Sequence, residues 1–261
     1  MLFALTREIS PRFAECQLAH LPRLPIDLQR ARAQHDAYEW ALVELGCTIR
    51  RLDSGADMPD AVFVEDTAVI VQEGAVIARP GAEARKAETP AVAAALARFG
   101  LPQHQIAAPG TLDGGDVLVV GRRVFIGASS RTNVEGIDQM RRLLEPLGYA
   151  VRAVPVRECL HLKSAVTAVA PDTLLINRDW VPADAFTGAT LIGVDPDEPA
   201  AANALWLPRP DGPVVIYPAA FPKTRRRLEQ HGLRVRTVEV DELAKAEGGV
   251  TCCCLILDLG E

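Results

Sequence analysis

Met140-Arg141-Arg142-Leu143-Leu144-Glu145-Pro146-Leu147-Gly148 runs directly into Tyr149-Ala150-Val151-Arg152-Ala153-Val154. The first half reads as a helix that stops at a glycine, because a glycine just past a helix takes the left-handed conformation that ends it. The second half reads as a short strand. The pattern recurs at Glu39-Trp40-Ala41-Leu42-Val43-Glu44-Leu45-Gly46 followed by strand 47–52, and at Thr224-Arg225-Arg226-Arg227-Leu228-Glu229-Gln230-His231-Gly232 followed by 233–238. A degenerate copy surrounds Arg98-Phe99-Gly100. Several helices are preceded by apolar hairpins: 61–64 and 67–71 returning at 75–78, then 116–120 into 123–127, 165–169 into 173–176, and 204–207 into 214–217. The last strand, 251–257, lacks a sequence neighbour, and Leu2-Phe3-Ala4-Leu5 is expected to supply one. That pairing closes a ring of about five hairpin–helix–strand units. Such a ring aims loops at a common axis, where side chains distant in sequence converge. The alternative is an ordinary α/β sandwich of similar elements. No Pro/Gly/Ser-rich linker interrupts the pattern, so 1–261 is read as one α/β domain.

Composition narrows the function. The 261 residues are 49% hydrophobic and 24% charged, the ordinary balance of a globular protein with room for a substantial core. A formal net charge of −6 speaks against a nucleic-acid partner, whose phosphates favour basic surfaces, and is compatible with a small cationic substrate. No run approaches the ~18 apolar residues of a membrane span, and the first nine residues already carry Arg7 and Glu8, unlike a signal peptide. The six cysteines, Cys16, Cys47, Cys159 and the triplet Cys252-Cys253-Cys254, therefore read as reduced thiols in a cytoplasm. No CxxC or His/Cys pair has zinc-ligand spacing, so the expectation is no metal and no cofactor.

Four places carry more polarity or glycine than folding needs. In Gly248-Gly249-Val250-Thr251-Cys252-Cys253-Cys254, paired glycines allow close backbone approach to a ligand. Cys252 is expected to open a strand at a site, while Cys253 and Cys254 read as small core residues. In Leu160-His161-Leu162-Lys163-Ser164 a histidine opens a strand, where it could serve a cysteine nucleophile as acid and base. Thr111-Leu112-Asp113-Gly114-Gly115-Asp116 places carboxylates at the start of another strand, although Asp-Gly is also a common turn. Asp60-Ala61-Val62-Phe63-Val64-Glu65-Asp66 sets two adjacent acids in an apolar run. Buried carboxylates are costly unless paired, and a guanidinium matches them in a bidentate fork.

Together these segments resemble the dimethylarginine dimethylaminohydrolase family of the guanidino-modifying, or pentein, superfamily. The resemblance rests on Phe63-Val64-Glu65-Asp66, Arg79-Pro80-Gly81 with Arg85, Leu112-Asp113-Gly114-Gly115-Asp116-Val117, Arg131-Thr132-Asn133, Leu160-His161-Leu162-Lys163-Ser164, Ala201-Ala202-Asn203 and Thr251-Cys252-Cys253. It implies a five-fold pseudosymmetric α/β propeller of ββαβ-type units. It also implies hydrolysis of an Nω-methylated arginine to citrulline and methylamine or dimethylamine. Cys252 would be the nucleophile, His161 the acid and base, and Asp113 the support of the histidine. Asp66 would bind the unsubstituted guanidinium nitrogen, Asp60 and Glu65 would help hold the substrate, and Arg85 and Arg131 would take its α-carboxylate. Leu18 and the backbone near Ala246 align with further substrate contacts. Glu247, before the glycine pair, and Cys254 depart from the family pattern.

Arginine deiminases resemble the chain too. They carry a helical insertion that this length does not accommodate, and an aspartate two residues past the histidine, where Lys163 stands here. A methylated nitrogen has fewer N–H groups and needs fewer acceptors, which favours the methylated substrate. Non-catalytic pentein-type binding proteins lack the nucleophile and its partners. Residues 10–26, with three prolines and little periodicity, are expected to form a mobile lid containing Leu18. A homodimer is compatible with the sequence.

Overall fold

The computed structural model describes residues 1–53 and 55–260. Its strands are β1 (Leu2–Arg7), β2 (Cys47–Leu52), β3 (Ala68–Val71), β4 (Gly74–Ile77), β5 (Gln103–Gln105), β6 (Val117–Val120), β7 (Arg123–Ala128), β8 (Ala150–Pro155), β9 (Val166–Ala170), β10 (Thr173–Ile176), β11 (Thr190–Gly193), β12 (Leu205–Leu207), β13 (Val214–Pro218), β14 (Arg234–Val238) and β15 (Leu255–Asp258). They form five three-stranded sheets, ordered β15-β1-β2, β3-β4-β5, β6-β7-β8, β9-β10-β11 and β12-β13-β14. In every sheet the first pair is antiparallel and the second parallel. A parallel pair needs a crossover. Helices Leu28–Glu44, Thr89–Ala97, Val134–Leu144 and Pro222–Gln230 provide four of them. In the β9-β10-β11 unit the crossover shrinks to a 3-10 turn, Ala183–Phe186, which is why no helix–glycine–strand pattern is legible there.

The ring closes as expected. Leu2, Phe3, Ala4 and Leu5 pair antiparallel with Asp258, Leu257, Ile256 and Leu255, so one sheet is stitched from both ends of the chain. Gly148 has φ 85° and ends its helix as the pattern required. Asp27 and Asn133 cap the first and third crossover helices by accepting from Arg30 N and Gly136 N, each cap contributing about 1 kcal/mol.

Three local expectations change. Residues 61–64 are turns leading into a 3-10 helix, Val64–Thr67, rather than a strand. Their carbonyls serve elsewhere: those of Asp60 and Phe63 accept from Arg85. Cys252 does not open a strand. Thr251, Cys252 and Cys253 lie in turns, with Cys252 N donating to Gly249 O and Cys254 N to Thr251 O, and β15 begins at Leu255. His161 precedes a short helical turn, Leu162–Ala165, before β9.

One strand from each sheet, namely β3, β6, β9, β12 and β15, lines a central channel of about 960 Å³. The segments just before these five strands therefore meet at one end of the axis. They are the segments that carry Glu65 and Asp66, Asp113 and Asp116, His161 and Lys163, Asn203, and Thr251 and Cys252. Among the described residues no helix is long and apolar enough to cross a membrane.

Candidate active site

Cys252 is half-buried. Its Sγ accepts from Gly249 N at 3.3 Å. Burial pushes the thiol up to about 12, and Glu65 and Asp66 add to the effect; the Gly249 N–H offsets only part of it. Cys252 therefore rests as a thiol. Cys253 and Cys254 are buried, as expected of core residues. Cys254 Sγ lies 3.0 Å from the Tyr38 hydroxyl, which donates to Val250 O.

His161 lies between two carboxylates. Its Nε2 is 3.0 Å from Asp113 Oδ2 and its Nδ1 is 3.7 Å from Asp66 Oδ1. Burial alone would lower the imidazole, but Asp66, Asp113 and Asp116 outweigh it and hold its pKa at about 9. The ring is thus an imidazolium at neutral pH, and the same charge, with Arg85, keeps Asp66 ionised despite burial. Gly115 makes this packing possible. A Cβ there would sit 2.6 Å from Asp66 Oδ1 and 2.7 Å from His161 Nδ1.

The supports of these groups come from distant segments. Asp113 Oδ1 accepts from Gly81 N at 2.8 Å, and Asp113 N meets Thr132 Oγ1 at 3.2 Å. Asp116 accepts from Ser129, Thr132 and Leu162 N, tying the Arg131 loop to the residue after His161. Asn203 donates to Lys163 O and Thr251 Oγ1, while its Oδ1 accepts from Thr251 N. Glu65 bonds Lys163 at 2.6 Å and Thr251 Oγ1 at 2.7 Å. This Lys163–Glu65–Thr251–Asn203 network holds the cysteine turn and stands where the central channel ends.

The structure brings all ten sequence-read site residues to this end of the ring, in different states of readiness. Arg85 is committed: Nε and Nη2 to Glu88, Nη1 to Asp66, and Nη2 also to backbone carbonyls. The guanidinium expected opposite Asp66 is thus partly the protein's own. Arg131 is freer. Its Nη1 is buried, 3.7 Å from Asp113 Oδ2, with no hydrogen-bond partner among the described residues. Glu65 is satisfied by Lys163 and Thr251. Asp60 is buried, accepts from Gln17 N at 3.0 Å, and has no side-chain cation within 4.0 Å among the described residues. Leu18 packs against the apolar cluster of Phe63, Ala246, Val250 and Cys253, which Cys252 also touches. Asp66, Asp113 and His161 offer donor atoms within 4.8 Å of one another, but the imidazolium is itself the countercharge of these carboxylates.

The motifs contain Lys163, Asn203 and Thr251 but do not disclose the network they form, and the sequence assigns no role to Glu88 or Asp116. Glu88 follows Arg85 at i+3, and Asp116 follows Asp113 at i+3, so spacing was the available signal.

A ring of five ββαβ sheets with a cysteine, a histidine and carboxylates on its axis defines a hydrolase of the pentein superfamily. The family profile described as N,N dimethylarginine dimethylhydrolase, eukaryotic, matches residues 23–258. The N(G),N(G)-dimethylarginine dimethylaminohydrolase of Streptomyces coelicolor is 41% identical over 249 residues, 95% of this chain and 94% of that one. The enzyme of the same name from Pseudomonas aeruginosa is 36% identical over 230 residues, covering 88% and 89%. A solved structure of the Pseudomonas aeruginosa enzyme, a cysteine-to-serine mutant with citrulline, superposes with TM-score 0.90 at 34% identity over 98% of both chains. The N-terminal domain of a cyanobacterial arginine dihydrolase shares the fold, with TM-score 0.82 at 18% identity over 98% of both chains. The chain belongs to the dimethylarginine dimethylaminohydrolase family.

Proposed function

We propose that this protein hydrolyses Nω-methylated arginine to citrulline and methylamine or dimethylamine, with Cys252 as nucleophile and His161 as acid and base. The observation that carries the reading is a half-buried cysteine gathered at one end of the ring with His161, Asp113, Glu65 and Asp66. Glu65 and Asp66 disfavour the thiolate until a cation arrives. A bound guanidinium supplies that cation and lowers the thiol pKa, and the thiol proton passes to solvent because His161 already carries its own. The thiolate then attacks the guanidinium carbon. The bond to the methylated nitrogen breaks, and the amine leaves with the proton of His161. Water attacks the resulting thiouronium and gives one proton to His161; the carbon–sulfur bond then breaks as the remaining hydroxyl proton passes to the sulfur, releasing citrulline and restoring the thiol.

The surroundings divide the remaining work. Asp113 orients the imidazole, and Asp66 faces the unsubstituted guanidinium nitrogen. Asp60, which lacks a cation of its own, binds a positive group of the substrate, and Glu65 acts through the cysteine turn. The free Nη1 of Arg131 fits the α-carboxylate, with the one uncommitted N–H of Arg85 beside it. Leu18 and the backbone at Ala246 close the apolar side. Lys163 supports a methylated substrate over arginine, because it neutralises Glu65 at 2.6 Å and leaves fewer acceptors for guanidinium N–H groups.

Citrulline release from asymmetric dimethylarginine, monomethylarginine and arginine, with wild type and Cys252→Ser, tests this. Turnover of the methylated substrates alone, abolished in Cys252→Ser, is expected; turnover of arginine alone would transfer the protein to the deiminases. The apparent pKa of Cys252 alkylation is expected to fall when a cationic ligand is bound.

A further inference from the structure

Glu247 belongs to neither the nucleophile nor the histidine cluster, yet it makes the densest set of contacts to the segment expected to cover the site. It follows the short helix Asp241–Ala244 and stands five residues before Cys252. Its backbone has φ 59°, the left-handed region that a side-chain-bearing residue enters at a cost. Its carboxylate accepts from three consecutive backbone N–H groups: Ala19 at 3.0 and 3.1 Å, His20 at 2.6 Å and Leu21 at 2.7 Å. Successive amides converging on one anion form a nest, which is ordered by the anion it holds. Among the described residues, the one other carboxylate that receives a backbone N–H of residues 17–21 is Asp60, from Gln17. On the reading above, Asp60 is shared with the substrate. Arg23 folds the segment onto itself by donating to Ala14 O and Cys16 O, so residues 14–23 behave as one strap. Between the two anchors, Leu18 packs onto the cluster that Cys252 touches.

We propose that Glu247 is the latch of this strap, a positioning residue that pins 19–21 to the chain segment leading to Cys252. Its effect on catalysis, though not on the strap, rests on the methylarginine reading. Strap closure and nucleophile placement are thereby mechanically linked: the carboxylate that holds the cover lies on the run of turns that leads to the nucleophile. A substrate that competes for Asp60 leaves the cover tethered through Glu247.

Hydrogen exchange of the full chain, without substrate, tests the latch directly. In Glu247→Ala the amides of Ala19, His20 and Leu21 are expected to exchange about tenfold faster or more, as for the loss of charge-assisted hydrogen bonds, while amides of β1 and β13 keep their rates. Glu247→Gln, which keeps the shape and an acceptor oxygen, is expected to fall between wild type and Glu247→Ala, and it carries the test if the alanine variant does not fold. Alkylation of Cys252 by a neutral reagent should accelerate in the same order. With methylarginine, KM is expected to rise more than kcat falls, and Glu247→Asp should recover part of the loss. Unchanged exchange at 19–21 overturns the latch whatever the kinetics. Faster exchange with unchanged kcat and KM overturns its positioning role. Absence of turnover in the wild type defeats the methylarginine reading and leaves the exchange result to decide the latch.

Discussion

Two clusters in this molecule are built from the same parts and end in opposite states. Near the first crossover helix, His35 sits beside Asp36, Glu39 and Arg51; on the axis, His161 sits beside Asp66, Asp113 and Arg85. Arg51 takes up both acids of the first cluster, bonding Asp36 at 2.7 Å and closing on Glu39, to which Thr6 also donates. His35 is left with a distant carboxylate, Glu39 Oε1 at 3.8 Å from Nδ1, and a buried Nε2 that has no partner among the described residues. Burial therefore dominates and pulls its pKa down. On the axis, Arg85 spreads over Glu88 and one oxygen of Asp66, so that the other oxygen of Asp66 and Oδ2 of Asp113 face the imidazole. There the carboxylates dominate and raise it. What separates a structural histidine from a candidate acid is how many carboxylate oxygens a neighbouring arginine leaves unclaimed.

The sharpest way to break this comparison is to remove each ring. His161→Asn is expected to lower citrulline release about 10²- to 10⁴-fold, the usual contribution of a general acid or base, whereas His35→Asn should leave kcat within about twofold. Equal losses would show that the two clusters are not functionally distinct.

Stability against pH separates them by sign. A raised folded-state pKa gives His161 a contribution that is complete below about 6.5 and is lost as pH rises through about 9. The separation between those two values corresponds to at most about 3–4 kcal/mol. His35, lowered on folding, contributes oppositely: its share is present above about 6.5 and is lost as pH falls. Urea unfolding from pH 5 to 9 should show both limbs, with His161→Asn flattening the alkaline one and His35→Gln the acid one. An alkaline limb that persists in His161→Asn would reject the assignment.

Gly115→Ala probes the geometry of the axial cluster without changing its charge. The added methyl must push Asp66 or His161 aside, at about 1–3 kcal/mol of stability. The imidazole pKa, read by NMR, should fall toward its ordinary value. The smallest effect belongs to the outer cluster. Asp36 is 63% exposed on its side chain, so Asp36→Ala should cost about 0.2–1 kcal/mol and leave activity unchanged.

Much of the ring was legible before any coordinates, because helix-then-glycine-then-strand is a local pattern and local backbone physics writes it. The antiparallel match of Leu2–Leu5 to 255–258 followed from one unpaired strand at each end. The short connections were less legible. Phe63-Val64 reads as strand by apolarity, but the carbonyl of Phe63 is claimed by Arg85, 22 positions away, and no local pattern reports that claim. The fourth crossover could not be recognised because it is a 3-10 turn.

The site divides in the same way. Cys252, His161, Asp113 and the Glu65-Asp66 pair were visible as chemistry that folding does not require. By itself the sequence determined the residue types, their order, four of the helix–glycine–strand repeats and the family they resemble. Only the tertiary structure decided that His161 is shared by two carboxylates, that Arg85 is largely spent while Arg131 is free, that Lys163 neutralises Glu65, and that Glu247 holds the strap. Those outcomes depend on distances of a few ångströms between segments tens to hundreds of residues apart, and on the loss of water around them. Coulomb and hydrogen-bond energies vary steeply with both, and sequence spacing carries neither.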